Sequence, residues 1–169
     1  MTVKHRPPCS RVKALSKAAE TESSNAQGPQ KRPSGRLLAL DLGEKRVGVA
    51  ISDELLITVR PLPFLSRTNW KKLLTAVADL LQGFDAKALV IGLPLNLDGT
   101  EGQAAREARR QARNFELSLK VPVFLQDERL TSRDAEETLR SSGRSGDDIR
   151  KQLDSEAAAI ILRDFIAGS

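Results

Sequence analysis

The residues in this chain with the means to do chemistry are acids that stand far apart in sequence: Asp41, the adjacent Asp127 and Glu128, and Asp154. Each ends or interrupts an apolar run, where an ionised side chain is costly unless a cation meets it. Asp41 closes the run Leu37–Leu40 and precedes Gly43 and the charged tip Glu44-Lys45-Arg46. Asp127 and Glu128 close the run VPVFLQ (121–126). On a helical wheel of the last apolar segment, Asp154 falls between Ile161 and Phe165, in the middle of the apolar arc. A carboxylate placed there meets either a buried arginine or a cleft that holds a metal ion. Crowded carboxylates raise one another's pKa, and divalent cations reverse that cost. Oxygen donors without imidazole or thiolate favour Mg²⁺ or Mn²⁺ over zinc. Two such ions about 4 Å apart are the usual apparatus for phosphodiester hydrolysis. Asp41 would bridge both, with Asp154 and one acid of the Asp127-Glu128 pair holding one each. Successive strand side chains point to opposite faces, so only one of Asp127 and Glu128 can join them. The sequence pattern leaves that choice open.

Composition narrows the alternatives. The only histidine is His5 and the only cysteine Cys9, both near the start of the 169 residues. Histidine triads, histidine acid/base pairs and Cys/His zinc sites therefore have no residues to use in the body of the chain. A lone cysteine makes no internal disulfide, which fits a reducing cytoplasm. No apolar run approaches the roughly 18–20 residues of a membrane span, so no membrane partner is expected. Residues 1–36 carry a net charge of +6 and residues 37–169 a net of −1, so the basic character belongs to the leader. Residues 1–35, rich in Lys, Arg, Ser, Pro and Ala, read as a disordered basic extension, and 36–169 as one domain. The extension would serve as a transit peptide or as an arm adding non-specific affinity for nucleic acid.

The elements that must position the acids follow from periodicity. Leu37–Ser52 reads as a hairpin whose first strand is buried on both faces, with Val47, Val49 and Ile51 on the second. Ile57–Phe64 reads as a third strand, and Pro61 and Pro63 send it to a sheet edge. A 3.6-residue stripe predicts a helix over 69–82, capped by Thr68 or Asn69 and stopped by Gly83. Ala88–Leu93 is a further buried strand. A helix over about 101–119 should bury Ala104, Ala105, Ala108, Ala112, Phe115 and Leu119. Val121–Gln126 is the last strand. A capping box at Thr131 and Asp134 then opens a helix, Ser141–Asp148 is a mobile loop, and a helix spans roughly 148–166. The closing helix should bury Ile149, Leu153, Ala157, Ala158, Ile160, Ile161 and Phe165. A three-strand meander joined to crossover units makes an α/β fold: a mixed five-stranded sheet with helices on both faces. Arg106, Arg109, Arg110 and Arg113 share one face of the second helix, either a solvated surface or a phosphate-contacting one.

The segments DLGEKRVGVAISD (41–53), VIGLPLNLDGTEG (90–102), DERLTS (127–132) and LDSEAAAIIL (153–162) resemble, in order and spacing, the YqgF/RuvX family. The match spans about 37–166. That resemblance implies an RNase H-like fold related to Holliday junction resolvases, and Asp41, Glu128 and Asp154 as the metal-binding catalytic acids. It thereby favours Glu128 over Asp127. It implies an endonuclease of the bacterial cytoplasm, active in 5′-end processing of pre-16S rRNA during ribosome biogenesis, with resolution of branched DNA junctions as the alternative. Lys45, Arg46 and Arg129 become phosphate contacts, beside Arg106, Arg110 and Arg113. The chain would act as a monomer on rRNA or as a homodimer on a junction, where paired cuts need two-fold symmetry. The DxGxxxxGVA hairpin also resembles the first phosphate loop of actin/hexokinase-type ATPases, but that reading needs a second phosphate loop and a second domain. A third reading is a non-catalytic RNA-binding domain on the same fold.

Overall fold

The computed structural model describes residues 33–129 and the helix 146–168, with the side chains of that helix described from Ser155 onward. The extension expected over 1–35 lies outside these residues save for its last three. The helix expected from Thr131, and the loop before residue 146, lie outside them as well.

The elements in chain order are β1 (Leu37–Leu42), β2 (Arg46–Ser52), β3 (Val59–Ser66), α1 (Trp70–Gly83), β4 (Ala88–Leu93), α2 (Gln103–Ser118), β5 (Val123–Asp127) and α3 (Gly146–Gly168). They form one five-stranded sheet in the order β3-β2-β1-β4-β5. The meander β1-β2-β3 is antiparallel, while β4 and β5 run parallel to β1. This is the mixed five-stranded sheet expected from the order of elements. β3 is an edge strand, where two prolines cost least.

The two faces of the sheet are built from different residue sizes. Leu38, Leu40, Val47, Val49, Leu89 and Ile91 pack with Leu73 and Val77 of α1 and Phe115 of α2. On the opposite face Ala39, Ala50 and Ala88 meet Ala158 and Ala159 of α3, with Leu37, Val90 and Leu162 closing the layer. Large aliphatic residues hold two helices on one side. Small ones let a single long helix lie close on the other. Strand alternation then fixes which acids face α3: Asp41 follows Leu37 and Ala39 in parity, and Glu128 follows Phe124, which packs in the α3 layer.

Boundaries depart from the sequence expectation for local reasons. β3 begins at Val59 rather than Ile57, because the Asp53 carboxylate accepts the N–H groups of Ile57 and Thr58 and holds them in a turn. Leu56 in that turn adopts φ 59°. Asn69 caps α1 by accepting the Lys72 N–H, and the helix runs on through Gly83 to a cap at Phe84. α2 starts two residues later than expected, and Ala104 is exposed rather than buried. Leu119 is the half-buried cap residue beyond its end. β5 starts at Val123, after Pro122, whose carbonyl accepts the Leu89 N–H. α3 begins at Gly146, two residues before the expected start near 148. Its buried residues centre on Ala158, Ala159, Ile161 and Leu162, whereas Ala157 and Ile160 are only half-buried. Ile149 and Leu153 fall among its undescribed side chains.

Phe115 is fully buried and its ring stacks at a tilt on Trp70, 4.7 Å between centroids, tying α2 to the start of α1. Phe115→Ala should destabilise the domain by about 3–5 kcal/mol, measured by denaturant unfolding with an unchanged slope.

Candidate active site

β1, β4 and β5 are parallel, so their carboxyl ends share one rim of the sheet. In open α/β sheets that rim is where ligands bind. A cleft of about 390 Å³ opens there, lined by Asp41 from β1, Gly92 and Pro94 from and after β4, and Glu128 just past β5. The N-terminal turns of α2 form its other wall through Gln103, Ala104 and Glu107. Two of the three sequence segments carrying acids thus meet in one cleft. The third, Asp154, lies in the backbone of α3, and helical spacing puts that position on the row of Ile161 and Phe165. Its side chain is outside the described residues. Among the described residues no three carboxylates converge in a metal-holding group.

The strand alternation and one ion pair separate Asp127 from Glu128. Asp127 accepts the Arg129 N–H at 3.0 Å and two guanidinium contacts at 2.7 and 2.8 Å. The Arg129 guanidinium therefore holds its carboxyl below the ordinary carboxylate range. Glu128 turns the other way, onto β4, where its Oε1 lies against Gly92. Burial first, then the charges of Asp41 and Asp127, push the Glu128 carboxyl up to about 7. The half-buried carboxylates of Asp41 and Glu128 offer only oxygen donors, and the charge of Asp41 opposes the ionisation of Glu128. A hard divalent cation relieves that condition, so the donor set fits Mg²⁺ or Mn²⁺.

The basic residues divide. Lys45 is exposed at the tip of the β1–β2 turn, and Arg46 stacks over the Phe64 ring at 5.0 Å. Arg129 is committed to Asp127 and also lies against Gly99. Arg106 and Arg110 line a shallow recess that continues from the cleft, and Arg110 pairs with Glu107 at 2.7 Å. Arg109 pairs with Glu101, and Arg113 is exposed farther along α2. These pairs offset the repulsion of the arginine row.

Sequence reasoning missed three residues at this rim. Arg67, just after β3, donates to the Gly43 carbonyl at 2.9 Å and to Glu107 at 3.1 Å, while its own N–H bonds the Lys45 carbonyl. It fastens the turn after Asp41 to α2, and no sequence pattern singles it out. Glu107 is held low by Arg110 and Gln111, and so carries its negative charge into the cleft wall. Gly92 sits inside an apolar strand run, where a glycine signals a close approach. Asp164 of α3 is a further half-buried acid, raised by burial, with Oδ2 lacking a hydrogen-bond partner among the described residues.

Comparison with known proteins agrees with the motifs. A family model described as "RuvX: Holliday junction resolvase" matches residues 35–168. A protein of Anaeromyxobacter dehalogenans strain 2CP-C, provisionally named a pre-16S rRNA nuclease, is 46% identical over 131 residues, 78% of this chain and 96% of that protein. A protein of Syntrophus aciditrophicus with the same provisional name is 42% identical over 131 residues, 78% of this chain and 87% of its own. Among solved structures, T. thermophilus RuvC in complex with a Holliday junction substrate aligns with TM-score 0.48 and 13% identity, over 79% of this chain and 95% of that one.

The Glu128 carboxyl should give a pH signature in stability. Its pKa rises on folding from 4.5 to about 7, so across that window the folded chain holds a proton the unfolded chain releases. Its contribution to stability is therefore complete below the lower value and lost as pH rises through the upper one. Thermal unfolding in the presence of a chelator should show this decline, and Glu128→Gln should remove it. Mg²⁺ added above the window should restore the wild type more than the variant.

Proposed function

The chain belongs to the RuvX family of Holliday junction resolvases, and from that premise we propose that it is a divalent-metal-dependent endonuclease. It hydrolyses phosphodiester bonds in structured RNA, and its role is maturation of the 5′ end of pre-16S rRNA. The observation that carries the reading is the meeting of Asp41 and Glu128 in one cleft at the carboxyl rim of the sheet. The relatives named above support rRNA as the substrate.

Asp41, Glu128 and Asp154 are the residues that would hold the ions. A bound pair of Mg²⁺ or Mn²⁺ would supply an activated water and neutralise charge on the leaving oxygen. The chain's own residues do the positioning. β1 and the Arg67-braced turn fix Asp41, and Arg129 draws Asp127 aside, leaving Glu128 to enter the cleft. Arg106 and Arg110 in the adjoining recess, with Lys45, Arg46, Arg113 and Arg129 outside it, would meet the substrate backbone. No histidine base is needed, which agrees with the composition of the domain.

Cutting of branched DNA is the second reading, favoured by the family description itself. It would require a two-fold dimer, whereas rRNA trimming would not.

Cleavage assays on a pre-16S rRNA fragment and a four-way DNA junction, with Mg²⁺ or Mn²⁺ and with chelator, test the proposal. Metal-dependent cleavage of the RNA is expected, and Asp41→Asn should lower its rate by roughly a thousandfold, the loss of several kcal/mol of metal-centred stabilisation. Cleavage of the junction alone, by a dimer, would move the assignment to the second reading. Cleavage of both substrates undiminished by chelator or by Asp41→Asn would sink the metal mechanism.

A further inference from the structure

The two acids of the cleft come from strands that are not neighbours. β4 lies between β1 and β5, so the strands bearing Asp41 and Glu128 are about 10 Å apart. For their carboxyl groups to share a cleft, one must cross the face of β4. The register sets where: Leu40 pairs with Ile91, and Gly92 with Gln126, so Gly92 stands level with Asp41 and just below Glu128. A Cβ at position 92 would lie 1.9 Å from Glu128 Oε1 and 2.8 Å from its carboxyl carbon. It would also lie 2.7 Å from Cδ1 of Ile161, which packs down from α3. The Glu128 carboxyl thus occupies the space that any other residue at 92 would fill.

We propose that Gly92 is a positioning residue of the active site: its missing side chain is the saddle over which Glu128 crosses β4 to reach Asp41. This deepens the nuclease reading and rests on it for the consequence to metal binding, though the steric claim stands apart from it. A methyl group at 92 pushes the carboxyl back toward β5, and the shared site opens while the strand pairing of β4 remains.

The test separates that effect from ordinary strand damage. In an Ile161→Val background, which removes the second contact, Gly92→Ala is compared with and without Glu128→Ala. Thermal unfolding should show a loss of several degrees when Glu128 is present and little when it is absent. Titration calorimetry with Mn²⁺ alone should show binding about 10–100-fold weaker for Gly92→Ala in the Glu128 chain. With RNA substrate kcat should fall while KM holds, since the backbone contacts lie elsewhere. Equal thermal losses in both backgrounds, with Mn²⁺ affinity unchanged, would overturn the proposal even if the wild type cleaves as expected. Coupled thermal losses in a wild type that binds no Mn²⁺ would uphold the saddle and sink the metal reading instead.

Discussion

The constraint on which this domain turns is electrostatic: two carboxylates from different strands are held together, half-buried, at one rim of a sheet. Nothing in strand pairing demands such a meeting, and mutual repulsion opposes it. The surrounding architecture makes it geometrically available. Alternation along β1 and β5 sends Asp41 and Glu128 to the same face. That face is lined by alanines, so α3 can lie close over it with Ala158 and Ala159 in contact. The opposite face is filled with leucine, valine and isoleucine against α1 and α2 and buries the bulkier share of the apolar surface.

Two arginines hold the acids in their places, Arg67 from the wall of the cleft and Arg129 from just past β5. Arg129 grips Asp127 through its guanidinium and its backbone, and Arg67 grips the turn after Asp41 at both ends. Each is held by a protein oxygen, Arg129 by Asp127 and Arg67 by Gly43 and Glu107. Such exposed or half-exposed pairs contribute little stability singly. Their value here lies in direction: they decide which carboxylate points where.

Much of this was legible in the letters. Apolar runs ended by acids, Asp41 for one and the Asp127-Glu128 pair for the other, located β1 and β5, and the prolines of β3 sent it to the edge. The stripe from Trp70 to Leu81 defined α1, with Thr68 or Asn69 as its cap, and the structure uses Asn69. Glu128 could not be told from Asp127 because a five-residue strand, apolar on both faces, does not announce which parity faces which helix. Arg67 was invisible for a different reason: its partners, Gly43 and Glu107, lie 24 and 40 residues away. Ala104 read as buried because small apolar residues flank it at helical spacing, yet it sits at the mouth of the cleft in the first turn of α2. Gly92 looked like one more small member of an apolar strand until its neighbour's side chain was seen lying across it.

The border strand β3 has a bearing on how this protein behaves among copies of itself. Pro61 and Pro63 remove two amide hydrogens from a run of eight residues, and both are exposed while Leu62 between them is buried. A foreign strand approaching that border finds gaps where a ladder would need donors. Sheet extension through this side is disfavoured by covalent structure, independent of salt, pH or ligand. High local concentration along a long polyanion therefore need not zip these domains together through β3.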